Sequence, residues 1–260
     1  AYVLPESHEQ IEPRLNRIGI NGPSFESPAA PDHIYPDGMI ADEAVRKLRS
    51  FNDSEEPFFL AVGFLKPHLP FSAPQKYWDL YDFDEIELPA YMKKPKNAPD
   101  QSMHNFGELR NYTDVPDQGP MEEEFMRKLI HGYYACVSYT DAQIGKVLDE
   151  LERLGMAENT IVIYTADQGY FLGEHGWFDK RLIYEESMRM PFVIKYPKEI
   201  PAGTVNNDII ENVDFSALFA DYAGVEYPAS MQGRSFRKNL MGNTPEDWRE
   251  YGYYRYWQDQ

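Results

Sequence analysis

Apolar and polar positions alternate along this chain in a way that predicts a few strands and helices separated by long polar stretches. Phe58-Phe59-Leu60-Ala61-Val62-Gly63-Phe64 is almost continuously apolar, the pattern of a strand buried on both faces. Thr160-Ile161-Val162-Ile163-Tyr164-Thr165 is β-branched and aromatic and predicts a buried strand, and Pro191 to Pro197 predicts a second strand. Between the first two runs, Val137, Ile144, Val147, Leu148, Leu151 and Leu154 form the apolar stripe of a helix over Met121–Leu154. Its acids at Glu122, Glu123 and Glu124 suit the positive end of the helix dipole, and Gly155 supplies the stop. Unbroken, it would be on the order of 50 Å long, with Gly132 as the place for a kink. Met39 to Leu48 predicts a short amphipathic helix through Ile40, Ala44 and Leu48, and Phe215 to Ala220 another, with Asp214 as its N-cap. Residues 1 to about 37 read as loop, and Trp248 to Trp257 as an aromatic strand. Phe71 to about Pro120 is too long for an ordinary connection, which points to functional or packed loops. The order strand, long helix, strand, helix predicts an α/β layered domain.

Composition narrows the partners more than the fold. At 260 residues the chain suits one large domain or two small ones. A formal net charge of −18 argues against a nucleic-acid or anionic-membrane surface, while leaving room for a local cationic pocket. The single cysteine, Cys136, excludes an internal disulfide and a thiolate zinc cluster. No apolar run approaches the roughly 20 residues of a membrane-spanning helix, and the first residues show no charged-then-apolar signal pattern. Compartment is therefore not written in these residues.

Chemistry-bearing groups gather just after the predicted strands, where open α/β sheets place their ligands. Asp167-Gln168-Gly169 offers a carboxylate and an amide oxygen, suited to a hard cation such as calcium or magnesium; the same spacing also fits a plain turn. Two oxygens do not fill a calcium shell, so further ligands must come from elsewhere. His68 lies between Pro67 and Pro70, in a loop stiff enough to hold an imidazole in place, or to pack it against nearby aromatics. Lys180 follows Asp167 on one loop, and its ordinary fate is a solvated charge. Of the other histidines only His175 is retained as a candidate. Cys136 sits inside the long helix and reads as a packed thiol.

Taken together, three segments closely resemble the type I sulfatases, above all the iduronate-2-sulfatase-like and bacterial polysaccharide-sulfatase branches. They are Phe64-Leu65-Lys66-Pro67-His68-Leu69-Pro70-Phe71, Tyr164 through Gly176, and Asp179-Lys180-Arg181 through Pro191. Tyr139 to Gly145 and the Met231-Gln232-Gly233-Arg234-Ser235 turn extend the likeness over nearly the whole chain. The resemblance implies an alkaline-phosphatase-like α/β fold, a layered sheet flanked by helices, and hydrolysis of a sulfate ester, with a sulfated carbohydrate as the expected substrate. It also implies that Asp167 and Gln168 are ligands of a calcium ion and that Lys180 contacts the sulfate and stabilises the leaving oxygen. His68 would bind the sulfate or protonate the leaving group, with Lys66 as a further substrate contact. A secreted, periplasmic or lysosomal location goes with the family.

One departure is large. The family's nucleophile is a formylglycine made from Cys or Ser in a Cys/Ser-x-Pro-Ser-Arg segment, preceded by a pair of metal-binding aspartates, and neither is present here. The expectation is a C-terminal part of a sulfatase catalytic domain over residues 1–240, incomplete at its N-terminus, with 241–260 beginning a truncated subdomain. Its partner would be the missing N-terminal part, and the chain alone would be inactive. Two other readings stay open: a phosphate or phosphonate ester hydrolase of the same superfamily, and a non-catalytic binding remnant.

Overall fold

The computed structural model describes residues 2–11, 22–99 and 107–255. In chain order its elements are α1 (Pro5–Glu9), β1 (Phe25–Glu26), α2 (Pro36–Asn52), β2 (Phe71–Ser72), α3 (Gln75–Trp78) and α4 (Glu123–Arg153). They continue with β3 (Val162–Thr165), α5 (Glu185–Met188), β4 (Phe192–Lys195), α6 (Val213–Ala223) and α7 (Arg237–Leu240), with short 3-10 turns between. The architecture is mixed α/β. Two compact units divide it: one holds Ala1–Ala157 and Gln168–Ser187, the other Glu158–Asp167 and Met188–Gln260.

The first unit is built round α4. Leu129, Ile130, Ala135, Cys136 and Tyr139 of that helix are buried together with Phe71, Trp78, Leu109 and Phe178. The helix runs unbroken through Gly132, contrary to the kink expected there. That glycine serves packing instead: a Cβ in its place would stand 2.8 Å from the Trp78 ring and 2.9 Å from the Phe71 Cβ. Gly155, at φ 71, lies just past the helix end, as expected for a stop. α2 starts earlier than predicted because Pro36 at its first turn and Asp37 beside it favour that start. It buries Ala41, Ala44 and Leu48, which share one helical face. β1 and β2 pair in parallel, Phe25 with Phe71 and Glu26 with Ser72.

The apolar run Phe58–Phe64 departs from expectation. It belongs to neither sheet of the described residues, and half-buried and exposed positions alternate along it, with Phe59 72% exposed. Composition suggested burial on both faces, but the described chain places no strand beside it, so one face stays open.

In the second unit β3 and β4 pair antiparallel, Val162 with Lys195 through Thr165 with Phe192. Their inner residues Ile163, Phe192 and Ile194 pack on Leu218, Phe236 and Trp248, whereas Tyr164 and Val193 are exposed. β3 is thus one-sided rather than fully buried. Asp214 is not the N-cap of α6 but lies in its first turn. Its fully buried carboxylate accepts from the Glu211 N–H at 2.9 Å and the Arg234 N–H at 2.8 Å, and it pairs with the Arg249 guanidinium. Reaching back to Glu211 is what the acid of a capping box does. Residues 248–255 form no strand, and the remainder of that predicted strand, through Trp257, lies outside the described residues.

Candidate active site

His68 sits on a loop held from three sides. The buried carboxylate of Asp37, at the start of α2, accepts the Leu65 N–H at 2.8 Å and the Lys66 N–H at 2.9 Å. The Lys66 ammonium turns back onto the loop, donating to the His68 carbonyl at 3.0 Å and the Pro70 carbonyl at 2.5 Å. Thr140 of α4 donates to the Lys66 carbonyl at 3.3 Å. The imidazole Nδ1 lies 2.8 Å from the Leu69 carbonyl oxygen, which can only accept. Nδ1 therefore carries a hydrogen, and in the neutral ring Nε2 presents its lone pair.

Lys180 comes to that lone pair from the other loop, its Nζ 2.7 Å from Nε2. Its backbone is set by the buried Asp179, whose carboxylate accepts the Lys180 N–H at 2.7 Å. Arg181 adopts φ 73, and the Ser187 hydroxyl accepts its N–H at 3.0 Å. The same stretch is tied to Gly169, whose N–H donates to the Ser187 carbonyl at 2.8 Å. A Cβ at Gly169 would lie 1.9 Å from the Glu186 carbonyl oxygen, so only glycine permits this approach. Lys180 itself is 6% exposed. A buried ammonium demands partners, and it finds them here.

The third member of the cluster is Glu108. Its carboxylate is 3.0 Å from the Lys180 ammonium, 3.1 Å from His68 Nε2 and 3.3 Å from the Arg181 guanidinium. Burial would raise this carboxyl, but hydrogen bonding from Lys180 and the charges of Lys180, His68 and Arg181 outweigh it and hold the group below the usual carboxylate range. Sequence reasoning did not single it out; the one signal was the length of the loop that carries it.

The other predicted residues lie elsewhere. Lys66 is spent on the two loop carbonyls rather than turned toward a ligand, and burial lowers its ammonium pKa. His175, at φ 57, packs its ring among Phe171, Trp177 and Tyr184, with Nε2 3.6 Å from Glu186. Gln168 is half-buried in the first unit, and Asp167 is exposed in the second. Neither side chain makes a hydrogen bond or ion pair among the described residues, which leaves a carboxylate and an amide oxygen unengaged, the donor chemistry a hard cation takes. No group of three or more His, Cys, Asp or Glu among the described residues could hold a metal by itself.

A family model described as N-sulphoglucosamine sulphohydrolase, C-terminal, matches residues 173–260. An N-acetylglucosamine-6-O-sulfatase of Bacteroides thetaiotaomicron is 50% identical over 138 residues, 52% of this chain and 24% of that protein. The iduronate 2-sulfatase of Mus musculus is 32% identical over 240 residues, 81% of this chain and 44% of that protein. A protein solved in complex with its substrate D-glucosamine-2-N,6-O-disulfate matches with a TM-score of 0.74 at 29% identity, covering 86% of this chain and 56% of that one. The chain thus spans about half or less of the length of these relatives. With the alkaline-phosphatase-like α/β fold and the motifs around His68 and Lys180, these likenesses establish that the chain belongs to the type I sulfatases and corresponds to a C-terminal region of them.

Proposed function

We propose that the protein to which this chain belongs hydrolyses a sulfate ester of a carbohydrate, and that His68 and Lys180 act on the sulfate. The observation that carries this reading is the 2.7 Å approach of Lys180 Nζ to His68 Nε2. Two loops distant in sequence bring a cation and an imidazole to one point, each held by its own backbone bonds. Sulfuryl transfer spreads negative charge over oxygens in its transition state, and donors aligned in advance stabilise that charge without having to reorganise. Lys180 would hold a sulfate or leaving-group oxygen, and His68 would donate to the departing oxygen through Nε2 once that atom is protonated.

Asp167 and Gln168 would supply two oxygens to a calcium ion, whose role when bound is to polarise the sulfate as a Lewis acid; further ligands would come from outside this chain. The nucleophile, a formylglycine in the family it resembles, would come from outside it too. The chain alone is therefore expected to be inactive. The sugar is suggested by the relatives, one named for N-acetylglucosamine 6-O-sulfate and one solved with a glucosamine disulfate. A 6-O-sulfated glucosamine is the substrate to try first.

The test is turnover by the full-length protein of a matched sulfate and phosphate monoester pair, before and after calcium chelation. The sulfate ester should be preferred and chelation should abolish its turnover. Preference for the phosphate ester would support a phosphate or phosphonate hydrolase instead, and no turnover of either would support the binding remnant.

A further inference from the structure

We propose that Glu108 is a positioning residue of this site, its carboxylate holding the Lys180 ammonium against the His68 ring so that both stand beside a single oxyanion. The proposal rests on the sulfatase reading above. Lys180 and His68 arrive from different loops, and they meet through their contact with each other and through Glu108. One oxygen of Glu108 lies 3.0 Å from Lys180 Nζ, and the other lies 3.1 Å from His68 Nε2, where it accepts a hydrogen bond when that nitrogen is protonated. An ammonium carries three donors. One is directed at Nε2 and one at Glu108, which leaves a third for a ligand oxygen. Protonating the ring would set two cations 2.7 Å apart, and a carboxylate bridging both offsets their repulsion.

The mounting of this carboxylate argues against a movable anion standing where sulfate should bind. Leu109 is fully buried, and Arg110 beside it is 6% exposed. The Arg110 guanidinium donates to the Pro116 carbonyl at 2.5 Å and the Gly119 carbonyl at 2.6 Å. The Asn111 N–H bonds to the Glu108 carbonyl at 3.1 Å, and the Thr113 N–H to the Gly22 carbonyl at 3.0 Å. Glu108 is delivered by an anchored turn and belongs to the site's frame.

The experiment compares wild type, Glu108→Ala and Glu108→Gln in the full-length protein on a 6-O-sulfated glucosamine. Glu108→Ala should lower kcat by ~10²-fold, as a misplaced catalytic group does, with KM changed by no more than about threefold. Glu108→Gln keeps an acceptor oxygen and should fall between. Added formate should restore part of the lost kcat in Glu108→Ala and none in Lys180→Ala. Retained kcat with tighter inhibition by inorganic sulfate would overturn the proposal and make the carboxylate a competitor. Lost kcat without formate rescue, accompanied by a lower Tm, would overturn it in favour of a merely structural role. The 15N shift of His68 Nε2 gives a readout that does not depend on which ester is cleaved. It should move in Glu108→Ala toward that of an imidazole nitrogen with no donor, and an unchanged shift would overturn the proposal even if the sulfatase reading stands.

Discussion

At Cys136 a single side chain decides where the nucleophile is not. The thiol is fully buried on α4, and burial, which outweighs the neighbouring Lys66 charge, pushes it up to about 12. Thiolate is the reactive form, so native protein at pH 8 should resist iodoacetamide at this residue and label only after unfolding. Rapid labelling of the folded protein, read by mass spectrometry, would contradict the packed-thiol assignment. The same scale shows what a sequence can disclose about a site. His68 and Lys180 stand in motifs whose neighbours are distinctive, prolines on one side and Asp179 on the other, so they were legible. Glu108 has no such frame. A glutamate in a long polar loop looks like any solvated acid, and only folding reveals that it meets Lys180. Lys66 was legible as a charge beside the histidine, but not as a donor to its own loop.

Among the elements, α4 was the most readable, because a helical stripe repeated over many turns leaves little choice. The helix does not break at Gly132, because that glycine serves packing: the Trp78 ring and the Phe71 Cβ press against it. Gly132→Ala should gain ~1 kcal/mol in helix propensity yet lose about 1–3 kcal/mol to overpacking. The expected outcome is a lower urea midpoint with an unchanged slope; a stabilised variant would show that Trp78 and Phe71 can retreat freely. Strands were less readable. An apolar run predicts that something should cover it, but not whether that something is present, which is why Phe58–Phe64 and β3 are more open than their composition suggested. Asp214 lies in the turn expected of it but serves another task, because its partner Arg249 lies far along the chain.

For the molecule as a whole, the fold class followed from segment order and from the sulfatase-like motifs, while the division into two compact units left no trace in composition. The net charge of −18 excludes little about an anionic substrate once a buried lysine, an arginine and an imidazole are gathered in one place. In the proposed function His68 and Lys180 work as one device on one oxyanion. A double-mutant cycle on kcat/KM in the full-length enzyme, with His68→Ala and Lys180→Ala against a sulfated glucosamine, tests this most directly. Each single change should reduce kcat/KM by ~10²–10³-fold, and the double variant should be little worse than the poorer single, as for groups acting as a unit. Losses that simply multiply, or a single variant close to wild type, would contradict it.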